Sequence, residues 1–218
     1  MSFDISRFLP KGTATVPTLL SSHGCFICGP RSCGKTSFAF QAVVNTVQDG
    51  GRVVVLCQEF VLYAKMPRPF TPLEQLGEEL LSRIEFAYLT STADVVRELG
   101  RWIELGDVPA LVLIDDDSFS DAGDVRHTAL MLSMLENVYA WVERNGGIFH
   151  YLFVSSSYPV SSVRENLPLG AFPLAWFNFT SGGTVYVAAK GLAPSAARPL
   201  VLEWREGLVL RSVWGFQI

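Results

Sequence analysis

The sequence predicts an α/β protein: a mainly parallel sheet with helices on both faces, closed by antiparallel hairpins at its C-terminal end. Three observations carry this. Gly29-Pro-Arg-Ser-Cys-Gly34-Lys35-Thr36 fits the phosphate-loop pattern G-x-x-x-x-G-K-[ST] without mismatch. Apolar, often β-branched runs alternate with segments of helical period, the pattern of strands joined by crossover helices. Beyond Gly183 only strand-like runs remain, with Arg205-Glu206-Gly207 where a hairpin turn belongs.

Taken in order, residues 1–22 hold Pro10, Gly12 and Pro17 and read as a short leader without its own core; residues 23–218 form one domain. Cys25-Phe-Ile-Cys28 is a short buried strand before the phosphate loop. Phe40, Val43, Val44 and Val47 then recur at helical spacing until Gly50-Gly51 stops the helix. Arg52-Val-Val-Val-Leu-Cys57 is a strand buried on both faces, ending in Gln58-Glu59-Phe60. A loop with Pro67, Pro69 and Pro72 leads to a helix near 73–83 and a strand over Ile84–Leu89.

Thr92 to Leu105 is an amphipathic helix with Val95, Val96, Leu99, Trp102 and Ile103 on one face. Ala110-Leu-Val-Leu-Ile114 is the strongest strand and runs into Asp115-Asp116-Asp117. Asp124 to Arg144 is a long helix whose Met131, Met134 and Trp141 pack in the core, and Gly146-Gly147 ends it. Ile148–Val154 is the next strand, followed by Ser155-Ser-Ser157 and a loop from Tyr158 to Leu169. Ala171–Phe179 reads either as a buried strand or as a partner-docking patch. Gly183–Ala189 and Leu200–Val213 supply the antiparallel strands.

Composition bounds the function. At 218 residues the chain has room for one full α/β core, and 49% hydrophobic with 12% aromatic residues excludes a disordered bulk. A net charge of −4 gives no global footprint for nucleic acid, so any such contact needs a local patch or a partner. No apolar run approaches the ~18–20 residues of a membrane span, and the N-terminus lacks a signal-peptide pattern. An intracellular, reducing setting is therefore expected. Cys25, Cys28, Cys33 and Cys57 fit that setting. Cys25-x-x-Cys28 has no second pair or histidine cluster beside it and reads as buried strand thiols.

The loop's chemistry follows from its spacing. Gly29 and Gly34 allow tight turns that aim backbone N–H groups of Arg31, Ser32, Cys33 and their neighbours around an anion, with Pro30, which has no N–H, within the same loop. Lys35 reaches the β- and γ-phosphates, the Thr36 hydroxyl binds Mg²⁺, and the helix that continues through Ser37 offers its positive end. Asp115, ending the strongest strand, is the candidate second Mg²⁺ carboxylate, with Asp116 next; the alternative is an acidic strand cap in a solvated loop. Glu59, just past the second strand, is the candidate base for an attacking water, or else a surface glutamate. There is no N-K-x-D guanine motif, no LSGGQ-like signature and no arginine-rich lid.

A phosphate loop, a strand ending in Glu59, a strand ending in Asp115 and a strand ending in a small polar run resemble, with the terminal hairpins, the ATPase core of RecA/Rad-type recombinases. More narrowly, the chain is similar to SWIM-domain-associated recombinase paralogues, the ATPase-like subunits of animal Shu-type complexes. The similarity rests on size, on Gly29–Thr36 near the N-terminus, on Met66-Pro67-Arg68, Ile84-Glu-Phe-Ala-Tyr-Leu89 and Leu111-Val-Leu-Ile-Asp115, and on Leu202-Glu-Trp-Arg-Glu-Gly207. It spans most of residues 24–214.

The resemblance implies an ATP- and Mg²⁺-binding RecA-like core, with Glu59 in the place of the recombinase catalytic glutamate. It also implies a small zinc-coordinating SWIM-domain partner, promotion of strand-exchange recombinase filaments on single-stranded DNA, and a nuclear role in homologous recombination. One departure stands out. Active recombinases place a γ-phosphate-sensing glutamine after the strand that here ends at Val154, where this chain has Ser155-Ser-Ser157. The DNA loops of recombinases correspond to 118–125 and 157–182. The second contains Arg164, Phe172, Trp176, Phe177 and Phe179, which we read as packing or docking groups rather than base-stacking ones. Lys65, Arg68 and Arg164 are the remaining DNA-contact candidates. Two other readings stay open: a non-catalytic interaction subunit built on a phosphate loop, and a different small phosphate-loop NTPase or kinase.

Overall fold

Consecutive side chains on a strand point to opposite faces, so a strand apolar at every position needs cover on both sides. The computed structural model shows that arrangement; it describes residues 3–13, 20–64, 66–156, 172–191, 196–205 and 207–217. The strands are β1 (Gly24–Cys28), β2 (Val53–Cys57), β3 (Ile84–Tyr88), β4 (Leu111–Asp115), β5 (His150–Ser155), β6 (Leu174–Phe179), β7 (Thr184–Ala188), β8 (Arg198–Trp204), β9 (Leu208–Val213) and β10 (Phe216–Gln217). The helices are α1 (Lys35–Gln48), α2 (Glu59–Ala64), α3 (Glu78–Leu81), α4 (Thr92–Leu105) and α5 (Val125–Arg144).

One sheet has the order β10-β9-β8-β7-β6-β1-β5-β4-β2-β3. From β3 to β6 the pairings are parallel; from β6 to β10 they are antiparallel. Cys25, Ile27, Val53, Val55, Leu111, Leu113, Leu152 and Val154 pack on the α1 side, while Phe26, Val54, Leu56, Val112, Ile114 and Phe153 pack against α4 and α5. The anticipated sheet with helices on both faces is thus present. No helix among the described residues is long and apolar enough to cross a membrane.

Three expectations need adjustment. The stretch near 73–83 is not one helix: a 3₁₀ turn at Leu73–Gln75 and the short α3 share it, because extended backbone at Leu76 ends the first and at Gly77 begins the second. The segment after Gln58 is not loop from its start but forms α2 first. Ala171–Phe179, left open between strand and docking patch, contains β6, parallel to β1, with Phe177 and Phe179 buried and Trp176 stacked on Phe26 at 4.7 Å. The loop at 158–169, with Arg164, and Lys65 lie outside the described residues.

The leader contributes to the main core. Phe3, Ile5, Phe8, Leu9 and Leu20 are buried, and the Phe8 ring stacks on Phe38 of α1 at 5.2 Å. Two side chains of the α1 end hold it there: buried Asn45 donates to the carbonyls of Arg7 and Leu9, each at 2.9 Å, and Asp49 pairs with Arg7 and Lys11. Asn45→Ala strands those acceptors away from water, and we expect a loss of about 1–3 kcal/mol in urea unfolding, with faster proteolysis before residue 10. A variant as stable as wild type would show that the apolar packing and the Asp49 ion pairs retain the leader without Asn45.

Candidate nucleotide site

β1 lies between β5 and β6, so the chain leaving Cys28 emerges mid-sheet at the carboxyl ends of the parallel strands. That edge is where open α/β sheets bind ligands. The turn is tight. Gly29 has φ 145°, and a Cβ there would stand 2.6 Å from the Phe179 carbonyl oxygen, so a larger residue would push β6 away. Ser32 (φ 60°) and Gly34 (φ 93°) are left-handed, which turns neighbouring amides toward a common concavity. Gly34 precedes α1 and no side chain caps the helix, leaving the first N–H groups to an incoming anion.

The concavity is a cavity of roughly 840 Å³ lined by Arg31, Ser32, Cys33, Gly34, Lys35, Thr36 and Ser37. Asp115, Asp117 and Ser156 line it from the ends of β4 and β5, and Phe60, Val61, Tyr63, Met66, Arg68 and Trp204 complete the wall. Gly29 and Pro30 sit behind the ammonium of Lys35, which donates to their carbonyls at 3.1 and 2.7 Å.

Lys35 is only 4% exposed. Its third contact is the Ser156 hydroxyl at 2.7 Å, and Asp117 Oδ2 stands 3.9 Å away. Asp117 in turn accepts from the Ser156 amide at 2.5 Å and from its hydroxyl. Lysine, serine and aspartate therefore form one charge-compensated unit. A phosphate at this position would compete with Ser156 for the ammonium.

Thr36 and Asp115 reach the same cavity, a hydroxyl and a carboxylate that match Mg²⁺ bridging to phosphate oxygens. Those two would hold the ion, which supplies neutralisation of phosphate charge. Ser118 braces this edge: its hydroxyl donates to the Asp115 carbonyl at 2.6 Å and accepts from the Gln58 amide at 3.1 Å. Glu59 opens α2, is exposed, and lies outside the cavity wall although Phe60 and Val61 are in it. Asp117 and Ser156 carry contacts that residue type alone did not assign; the only signal was their position after apolar strands. Trp204 gave none.

Asp116 faces away from the cavity. It is 1% exposed and accepts from the Ser155 hydroxyl at 2.9 Å. Burial, aided by the charges of Asp117 and Asp121, pushes its carboxyl up to about 6 against the pull of Ser155. Among the cysteines, burial raises the Cys57 thiol to about 12, with Asp115 adding to it, and burial also raises Cys33. Cys25 and Cys28 are buried and form no disulfide, and no cluster of metal-ligating side chains exists among the described residues.

The Asp116 shift has a definite sign. A carboxyl raised in the folded state favours folding while protonated, so stability falls as pH rises from about 4 to about 6 and the cost persists above. We expect Asp116→Asn to flatten that window in chemical unfolding and to be more stable at pH 7 by on the order of 2 kcal/mol. An unchanged pH slope would contradict the assignment.

No protein-family model matches the chain, and the search of curated proteins finds no relative. Among solved structures, a KaiC-like protein from the hyperthermophilic archaeon Pyrococcus horikoshii OT3 superposes with a TM-score of 0.60 over 96% of this chain and 99% of that one. Identity is 12%, so the likeness concerns architecture. The shared architecture is a mainly parallel sheet with helices on both faces and antiparallel strands at one edge.

Proposed function

We propose that this chain is an ATP-binding recombinase paralogue. In this reading it acts with a zinc-coordinating SWIM-domain partner to promote strand-exchange filaments on single-stranded DNA during recombination in the nucleus. The observation that carries the nucleotide part is the complete phosphate loop, folded around left-handed Ser32 and Gly34 and opening into a cavity that also receives Thr36 and Asp115. The fold is the one this reading requires, and the narrower marks at Met66–Arg68 and Leu202–Gly207 carry the resemblance behind the pathway.

In the site, loop amides and the first turn of α1 bind phosphate oxygens. Lys35 leaves Ser156 and takes the terminal phosphates; Thr36 and Asp115 would hold Mg²⁺ against them. Released from Lys35, Ser156 remains bonded to Asp117, so nucleotide occupancy is felt at the end of β5. That is where recombinases keep their sensing glutamine.

A second reading is favoured by one observation. Glu59 is exposed outside the cavity wall, so ATP in this arrangement serves as structural glue for an interaction subunit. Turnover assays with and without single-stranded DNA decide between them. We expect slow hydrolysis, stimulated by DNA, abolished by Lys35→Ala and reduced at least ~10-fold by Glu59→Gln. Full turnover in Glu59→Gln would remove Glu59 from the chemistry, and tight binding without turnover would favour the second reading. Turnover unchanged in Lys35→Ala would defeat the enzyme assignment. For the partner, stoichiometric co-purification of a SWIM-domain protein or a recombinase from native cells is the expected result.

A further inference from the structure

The cavity joins two chemically different regions. Around Lys35 it is polar and directed at anions. It also carries apolar side chains held open to water: Phe60 is 69% exposed, Tyr63 67%, Met66 56% and Trp204 53%. Large apolar groups gathered at one opening gain by being covered, on the order of 25 cal/mol for each Å² removed from water.

Trp204 is held in place rather than left to swing with a loop. It ends β8 and pairs in register with Leu208, which is buried in the core. The turn between them is closed by the Arg205 amide donating to the Gly207 carbonyl at 3.0 Å. A Cβ on Gly34 would meet Leu208 at 3.3 Å and the Trp204 ring at 3.7 Å, so the indole lies directly beside the last glycine of the phosphate loop. On the other side, a Cβ on Gly207 would stand 3.7 Å from the Arg68 and Pro69 carbonyls, and the Arg68 amide donates to Ser37 at 3.0 Å. Hairpin, Met66–Arg68 segment and first turn of α1 therefore form one continuous rim.

We propose that Trp204 stacks on the base of a purine nucleotide whose phosphates occupy the loop, a step that rests on the nucleotide reading above. The site asks for a ligand with a polyanion at one end and a flat apolar face near it. Trp204, Phe60 and Met66 offer contact area rather than a donor–acceptor pattern for base edges. Recognition is then by ring area, so purines bind ahead of pyrimidines, with adenine and guanine nearly alike. The lack of an N-K-x-D motif accords with this.

The test is calorimetric titration of the full chain, wild type and variants, with ATP, GTP, CTP and inorganic tripolyphosphate in the presence of Mg²⁺. In wild type we expect ATP and GTP within about threefold of each other and both about tenfold tighter than CTP or tripolyphosphate. Trp204→Ala should lose about tenfold for ATP and GTP while keeping its tripolyphosphate affinity, and Trp204→Phe should recover most of the loss. Equal loss for tripolyphosphate in Trp204→Ala would mean that the hairpin merely shapes the loop, and undiminished ATP affinity would mean that the base sits elsewhere; either overturns the stacking. If neither tripolyphosphate nor any nucleotide binds wild type, the phosphate-site reading itself fails. Wild-type tripolyphosphate binding that Lys35→Ala abolishes keeps that reading whatever Trp204 does.

Discussion

A nearly desolvated ammonium governs the centre of this molecule. An unpaired charge in the interior costs several kcal/mol, so Lys35 must always have acceptors around it. They are the carbonyls of Gly29 and Pro30 and the Ser156 hydroxyl, with Asp117 behind. Each comes from a different constraint on the fold: the carbonyls from the tight exit of β1, the hydroxyl from the end of β5, the carboxylate from the turn after β4. Their convergence requires β1, β5 and β4 to be parallel neighbours, which is the order observed.

The same geometry suits the site to anions. The ammonium's partners on the loop are backbone carbonyls that cannot leave, whereas Ser156 can be exchanged. An arriving phosphate replaces a neutral hydroxyl by a charged acceptor, and charge-assisted hydrogen bonds are the stronger kind. Asp117 opposes it, being a second negative charge beside the incoming one. A divalent cation on Thr36 and Asp115 would relieve that opposition, so binding of metal and nucleotide should support each other.

Much of this was legible in the sequence, for reasons that can be named. The phosphate loop is visible because its chemistry depends on glycines and a lysine at fixed spacing. The buried strands are visible because a doubly covered strand must be apolar throughout, as in Val53–Cys57 and Leu111–Ile114. α4 and α5 carry helical periodicity with caps at Ser91 and Asp124. Other features depend on contacts between distant residues. Nothing local marks Asn45 as an anchor of the leader, 36 residues from Leu9, or puts Trp204 beside Gly34. α2 escaped notice because its six residues are too few for a period to show, and the prolines after it suggested loop. Glu59 shows the limit most sharply: sequence order places it just past β2, but the exposure of a side chain at a helix start is decided by the turn of the helix.

The central claim, that nucleotide enters the cavity above Lys35, is tested most directly through Cys33. It lines that cavity and is partly exposed, while Cys25, Cys28 and Cys57 are buried. Alkylation of the native protein should therefore label Cys33 first, and slowly, since burial holds its thiol protonated. Mass spectrometry of the labelled peptide, with and without Mg²⁺ and ATP, reads occupancy at the loop itself. The account requires ATP to suppress Cys33 labelling in proportion to saturation, and to do so in wild type but not in Lys35→Ala. Labelling unaffected by saturating ATP would contradict it.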